Sequence, residues 1–120
     1  MGNSSLSVVE KLKEAYKIWQ QILPHISKSQ RQTIGARIDG LLLDTLGLAF
    51  QGRYAPLSKR LNLITSAVTK IDSAKFFLIV GWENKIIDDK KYILLSEKLV
   101  ETSKMLFGWK VYLEKKTSVN

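Results

Sequence analysis

The stretch "RIDGLLLDTLGLAFQG", residues Arg37 to Gly52, decides the fold. Its apolar residues recur at steps of three and four, the rhythm of an α-helix. Ile34, Ile38, Leu41, Thr45 and Leu48 make one stripe, and Leu42, Leu46 and Ala49 make a second beside it. Gly40 and Gly47 stand one heptad apart, although each glycine costs roughly 1 kcal/mol in a helix interior. One stripe faces a helix's own core; a second needs another partner. The expectation is therefore that Gly40, Leu42, Leu46, Gly47 and Ala49 seat a neighbouring subunit. The competing expectation is a central helix that touches three others within one chain.

Three further segments keep the same rhythm. Upstream it runs Val9, Leu12, Tyr16, Trp19 and Leu23 until Pro24, which lacks the N–H the ladder needs. Downstream, Leu57, Leu61, Ile64, Val68, Ile71, Lys75, Leu78 and Trp82 make a third stripe, interrupted once by charge. Tyr92, Leu95, Leu99, Thr102, Leu106, Trp109 and Leu113 make a fourth. No period-two alternation is sustained, so no strand is expected. Ser27 or Ser29 supplies an N-cap, Gly52 reads as a C-terminal breaker, Pro56 opens the third helix, and Asp88 and Asp89 open the fourth. Short connections favour neighbours of opposite direction. The fold expected is all-α: a single-domain, antiparallel up-down-up-down four-helix bundle with helices near 6–23, 29–51, 57–86 and 89–115, and frayed ends at 1–5 and 117–120.

At 120 residues, 45% hydrophobic and 25% charged, the composition is that of one globular domain. With no cysteine, a disulfide, thiolate nucleophile or Cys-based zinc site is excluded. The longest apolar run, "FFLIVGW" (Phe76 to Trp82), is far shorter than the ~20 residues of a membrane span. The start lacks a basic region followed by an apolar core, so the expected location is the cytoplasm, with no membrane partner. Lys and Arg number 19 against 11 Asp and Glu, a formal charge of +8. Such a balance favours polyanionic partners.

Catalytic chemistry is not expected. The lone histidine, His25, follows Pro24 in a loop, and one His without Cys builds no zinc centre. "GARIDG" (Gly35 to Gly40) has phosphate-loop glycine spacing, but Leu41 and Leu42 replace the Lys and Ser/Thr that hold phosphate and magnesium. Asp39 and Asp44, five residues apart, diverge by about 140° on a helix and cannot share a site. No Arg precedes His25, as a four-helix ribonuclease would require. No catalytic residue, metal, cofactor or small-molecule substrate is expected.

Within the fourth helix, "KKYILLSEKLVETSKMLFGW" (Lys90 to Trp109) resembles the closing segment of the accessory variability determinant (Avd) proteins of diversity-generating retroelements. There a basic-basic-Tyr start leads to an ending like G-R-M-L-G-G-W. "ILPHISKSQRQTIGARIDGLLLD" (Ile22 to Asp44) is similar to the family's L-P-H…Q-R…L-G-x-R-I…L-L-L-D, and "YAPLSKRLNLITSAVTKIDSAKFFL" (Tyr54 to Leu78) extends the likeness. Residues 8 to 113 are covered. The related family encoded in 23S rRNA intervening sequences carries S-I-P-x-N-I-A-E-G, which this chain lacks.

The resemblance implies a four-helix bundle assembled as a homopentamer, without catalysis of its own, that engages a reverse transcriptase and template-repeat RNA or DNA during mutagenic retrohoming. Position by position it implicates Arg31 at the Arg of Q-R and Arg37 at that of G-x-R-I. It also implicates Lys75, Lys85, Lys90 and Lys91 before Tyr92, and Lys104 before Met-Leu. Ile79 stands where the pattern has Arg, and Ser103 and Phe107 replace glycines. Five copies would carry +40, five times +8. The alternative is a structural or protein-interaction bundle without a polymerase partner. On their seam positions Tyr16, Trp19, Tyr92 and Trp109 are expected to pack rather than stack on bases.

Overall fold

The computed structural model describes residues 2–118, and these are helical throughout apart from short turns, with no strand among them. Four long helices enclose one core, within 51 × 21 × 20 Å. Helix α1 spans Gly2–Ile22 and ends in a 3-10 turn, Leu23–His25, that carries Pro24. The second helix, α2, is one run of three segments: α-helical Lys28–Gln30, π-helical Arg31–Gly35 and α-helical Ala36–Tyr54. Helix α3 spans Leu57–Glu83 and α4 spans Asp89–Ser118. Gly2 to Ser5, Thr117 and Ser118, expected to fray, continue α1 and α4. Met1, Val119 and Asn120 lie outside the described residues.

Each helix packs mainly on two others: α1 on α2 and α4, α2 on α1 and α3, and α3 on α2 and α4. This position between two neighbours explains the greasy central helix. Ile38, Leu41, Leu42, Thr45, Ala49 and Gly52 are all buried, so the two expected stripes are one wide arc inside the chain. Leu42 and Ala49 therefore do not face a second copy. The exposed large apolar residues of α2 are Leu43, Phe50 and Tyr54.

Gly52 is not the breaker it was expected to be. It lies inside α2 where a Cβ would come within 2.5 Å of Ile64 Cδ1 and 3.4 Å of Trp109 Cη2, so its bareness lets α2, α3 and α4 converge. The chain leaves the helix at extended Ala55, which the following proline disfavours as helical. Ser27 holds the N-cap position of α2, but its hydroxyl makes no capping bond. At α4 the expected cap is present: the Asp88 carboxylate accepts the Lys91 backbone N–H at 2.9 Å and the Lys91 ammonium at 2.7 Å. These two bonds hold the exposed Asp88 carboxyl below its ordinary pKa, with the Lys91 side chain the larger cause.

The buried line of α3 differs from the expected seam. Ile64, Ile71 and Leu78 are buried as expected, but Ala67, Ala74 and Gly81 fill the alternate positions in place of Val68, Lys75 and Trp82. Small side chains admit close neighbours, and Lys75 and Trp82 consequently sit at the margin of the core. In α4 the expected seam holds from Leu95 to Leu113, with Ser103 also buried.

One polar network ties α1 to α2 at the margin of the core. Asp39 on α2 accepts hydrogen bonds from the Tyr16 hydroxyl at 2.8 Å and from Trp19 Nε1 at 3.1 Å. Gln20 Nε2 donates to the Tyr16 oxygen at 2.7 Å. Burial pushes the Tyr16 pKa up, and the Asp39 carboxylate adds to it. Asp44 points elsewhere, to Lys70 at 3.5 Å.

Candidate nucleic-acid interface

The implicated cations divide by position. One end of the bundle is built from the start of α2, the end of α3 and the start of α4. There Ile34 lies 3.6 Å from where a Gly81 Cβ would stand, and Trp82 stacks on Tyr92 with ring centroids 4.6 Å apart. Trp82 is largely out of the core and donates through Nε1 to Asp89 at 2.7 Å. Arg31, Lys85, Lys90 and Lys91 gather at this end. It is electrostatically mixed, because Glu83, Asp88 and Asp89 occupy the same turns and Asp88 engages Lys91.

Arg37, Lys75 and Lys104 are not brought to it. The Arg37 guanidinium carbon lies 5.8 Å from the centroid of the Phe77 ring, about one helical turn inward of the Ile34–Gly81 contact. Lys75 finds the carboxylate partner a half-buried ammonium requires, Asp72 at 3.7 Å. It also donates to Ser103 Oγ at 3.4 Å, while Ser103 donates to Asp72 at 3.1 Å. The serine that departs from the Avd pattern thus ties α3 to α4. Lys104 is exposed on α4, one residue beyond Ser103.

Lys85 is held in an unusual backbone state. Its φ is 60°, left-handed, in the turn that closes α3. Lys85 N–H donates to the Trp82 carbonyl at 3.0 Å and Ile86 N–H to the Gly81 carbonyl at 2.8 Å, a Schellman cap whose left-handed position favours glycine. A lysine there costs about 1 kcal/mol or more. Lys85→Gly is expected to raise stability by about that amount, shifting Tm upward by a few degrees in a thermal melt. A fall in Tm would contradict this account of the turn.

The larger excess of cations over carboxylates lies at the opposite end, about 40 Å away along the 27 residues of α3. Here the end of α2, the start of α3 and the end of α4 converge on Gly52, Ile64 and Trp109. Residues 53–62 and 108–118 supply Arg53, Lys59, Arg60, Lys110, Lys115 and Lys116 against one carboxylate, Glu114. Arg60 folds back, its Nη2 donating to the Ala55 carbonyl at 2.6 Å, while Lys110 lies 3.8 Å from Glu114. Exposed aromatic rings stand among these cations: Arg53 by Tyr54 at 5.1 Å, Lys110 by Phe107 at 5.6 Å and Lys116 by Tyr112 at 5.8 Å. This end does not stand out in the sequence, since its charges come from two segments some fifty residues apart. The available signal was the scarcity of Asp and Glu in both.

Two apolar areas are exposed on the sides. Val9, Lys13, Leu43, Leu46, Gly47 and Phe50 line a groove of about 410 Å³ between α1 and α2. Of the residues expected at a subunit contact, Leu46 and Gly47 line this groove, and Gly40 and Gly47 have no neighbour that a Cβ would meet within 4 Å. On the other side, Phe76 and Ile79 on α3 and Val100 on α4 are exposed. Among the described residues no group of His, Asp and Glu side chains could hold a metal ion, and no helix is long and apolar enough to cross a membrane. Comparisons with protein-family models, curated proteins and solved structures found no match to the chain.

Proposed function

We propose that this chain is a non-catalytic, nucleic-acid-binding accessory subunit of a retroelement reverse transcriptase, of the Avd type. In this reading it is an antiparallel up-down-up-down four-helix bundle that works as a cyclic homo-oligomer, a pentamer. The observation that carries the reading is the ordered set of Avd-like motifs over residues 8 to 113, on a helical chain with a +8 charge. The antiparallel arrangement is supported by side-chain links at matching heights, such as Asp44–Lys70 and Asp72–Ser103. Cyclic assembly is supported by two dissimilar apolar areas, the α1–α2 groove and the α3–α4 side. Dissimilar surfaces pair head to tail, and head-to-tail contacts form rings when the rotation between subunits closes.

In the proposed division of labour, Arg31, Lys85 and Lys90 dock the polymerase. Their mixed surroundings suit a protein partner, because opposite charges set register and exclude wrong partners. Arg31→Glu, Lys85→Glu and Lys90→Glu together are expected to abolish co-purification of the reverse transcriptase, with mass and helicity unchanged. Undiminished capture by this triple variant would overturn this docking site, and absence of capture by the wild-type chain would remove the polymerase from the reading. The same apolar areas favour a second reading, a protein-interaction bundle without a polymerase. That reading wins if the wild-type chain binds no nucleic acid.

A further inference from the structure

We infer that the end built from the α2–α3 turn and the last turns of α4 is a binding site for single-stranded nucleic acid, cations holding phosphates and exposed rings stacking bases. The placement rests on the nucleic-acid reading above but concerns residues that reading does not use.

Three observations lead to it. Across residues 53–62 and 108–118, six cations face one carboxylate, whereas at the other end five (Lys28, Arg31, Lys85, Lys90 and Lys91) face three. A basic last turn alone would complement the α4 dipole, and Lys115 and Lys116 fit that description. Dipole compensation does not account for Lys59 on the first turn of α3, where a cation is disfavoured. Second, among the described residues no carboxylate pairs with Arg53, Lys59, Lys115 or Lys116, so their field is left for a ligand.

The third observation is the rings. Tyr54 is 65% exposed and Phe107 54%, far more than side chains packed for stability. Each lies beside a cation, as does Tyr112, which pairs a surface for a base with a charge for its phosphate. Stacking on an aromatic side chain contributes about 1–3 kcal/mol per base and tolerates any sequence.

The geometry favours a strand over the other polyanionic surface, an anionic bilayer. Phe107 and Tyr112 are five residues apart and so point about 140° apart around α4. No single plane meets both rings, whereas a flexible strand can follow the curve. A duplex is disfavoured because its bases are already stacked and offer no face to the rings.

The test uses the full chain with a single-stranded oligo-dT of about thirty nucleotides, a matched duplex and phosphatidylserine vesicles, read by fluorescence anisotropy and co-sedimentation. Lys110→Glu, Lys115→Glu and Lys116→Glu together are expected to lower oligo-dT affinity and to reduce the slope of log affinity against log salt by about 2. Tyr54→Ala and Phe107→Ala are each expected to weaken oligo-dT binding about fivefold or more, with duplex binding and the salt slope unchanged. Lys110 is half-buried beside Glu114 and the other side chains are exposed, and a circular-dichroism melt checks that the variants fold. If the Arg31, Lys85 and Lys90 reversal removes oligo-dT binding while the Lys110, Lys115 and Lys116 reversal leaves it intact, this placement is overturned and the nucleic-acid reading survives. If the wild-type chain binds neither oligonucleotide, both fall. Vesicle binding that needs Tyr54 and Phe107, without oligo-dT binding, would make the end a membrane surface and overturn the proposal.

Discussion

Replacing Trp19 with alanine is expected to cost about 3–5 kcal/mol, the range for deleting a fully buried large side chain, with Tm falling on the order of 10–20 °C. Trp19 is 0% exposed, so its removal leaves a cavity between α1 and α2. It also takes away one of the two donors to Asp39. Trp19→Phe separates these effects. Most of the volume stays and only the indole N–H goes, so a loss of about 1–2 kcal/mol is expected. Chemical denaturation of both variants measures the difference. Equal losses would mean that the hydrogen bond, rather than packing, holds α1 to α2.

Introducing aspartate at Leu43 and Phe50 together is expected to dissociate the proposed ring. Both side chains are exposed in the single chain, so the chain itself should tolerate the change. Buried between subunits, each unpaired carboxylate would cost several kcal/mol. Light scattering on the wild type should give a mass near five times 13.7 kDa, and the double variant should give 13.7 kDa with undiminished helicity. A wild-type monomer throughout about a hundredfold dilution series would end the assembly proposal. Leu42→Asp is not a substitute probe, because Leu42 is buried in the chain and its loss would unfold the bundle.

The helix order and most helix ends were legible in the amino-acid sequence, because their causes are local. Pro24 stops α1, Pro56 opens α3, Asp88 caps α4, and apolar residues repeat at helical spacing. What the sequence concealed depends on neighbours. A glycine reads alike whether it ends a helix or admits a side chain, and Gly52 does the latter against Ile64. The buried line of α3 was misplaced because Ala67, Ala74 and Gly81 carry little hydrophobic signal, although their small size is what the packing uses. Leu42 and Ala49 read as outward only if a helix buries one narrow stripe, whereas α2 lies between two helices and buries a wider arc.

The site was legible only in part. Of the implicated cations, Arg31, Lys85, Lys90 and Lys91 share one end, whereas Arg37, Lys75 and Lys104 do not. Lys75 illustrates why: it interrupts a stripe, a feature equally suited to a ligand contact and to a buried pair, and Asp72 and Ser103 engage it. The basic end was invisible because folding assembles it from segments that are each only moderately charged.

The most direct test of the central claim is the salt dependence of the wild-type chain's binding to RNA. Phosphate contacts release counterions, so log affinity should fall linearly with log salt, by about 0.7 per phosphate neutralised on a single strand. With roughly four to eight contacts, affinity should drop on the order of fifty- to two-thousand-fold between about 50 and 200 mM salt, for RNAs of unrelated sequence alike. Undetectable binding, or an affinity that stays level across that range, would contradict the account.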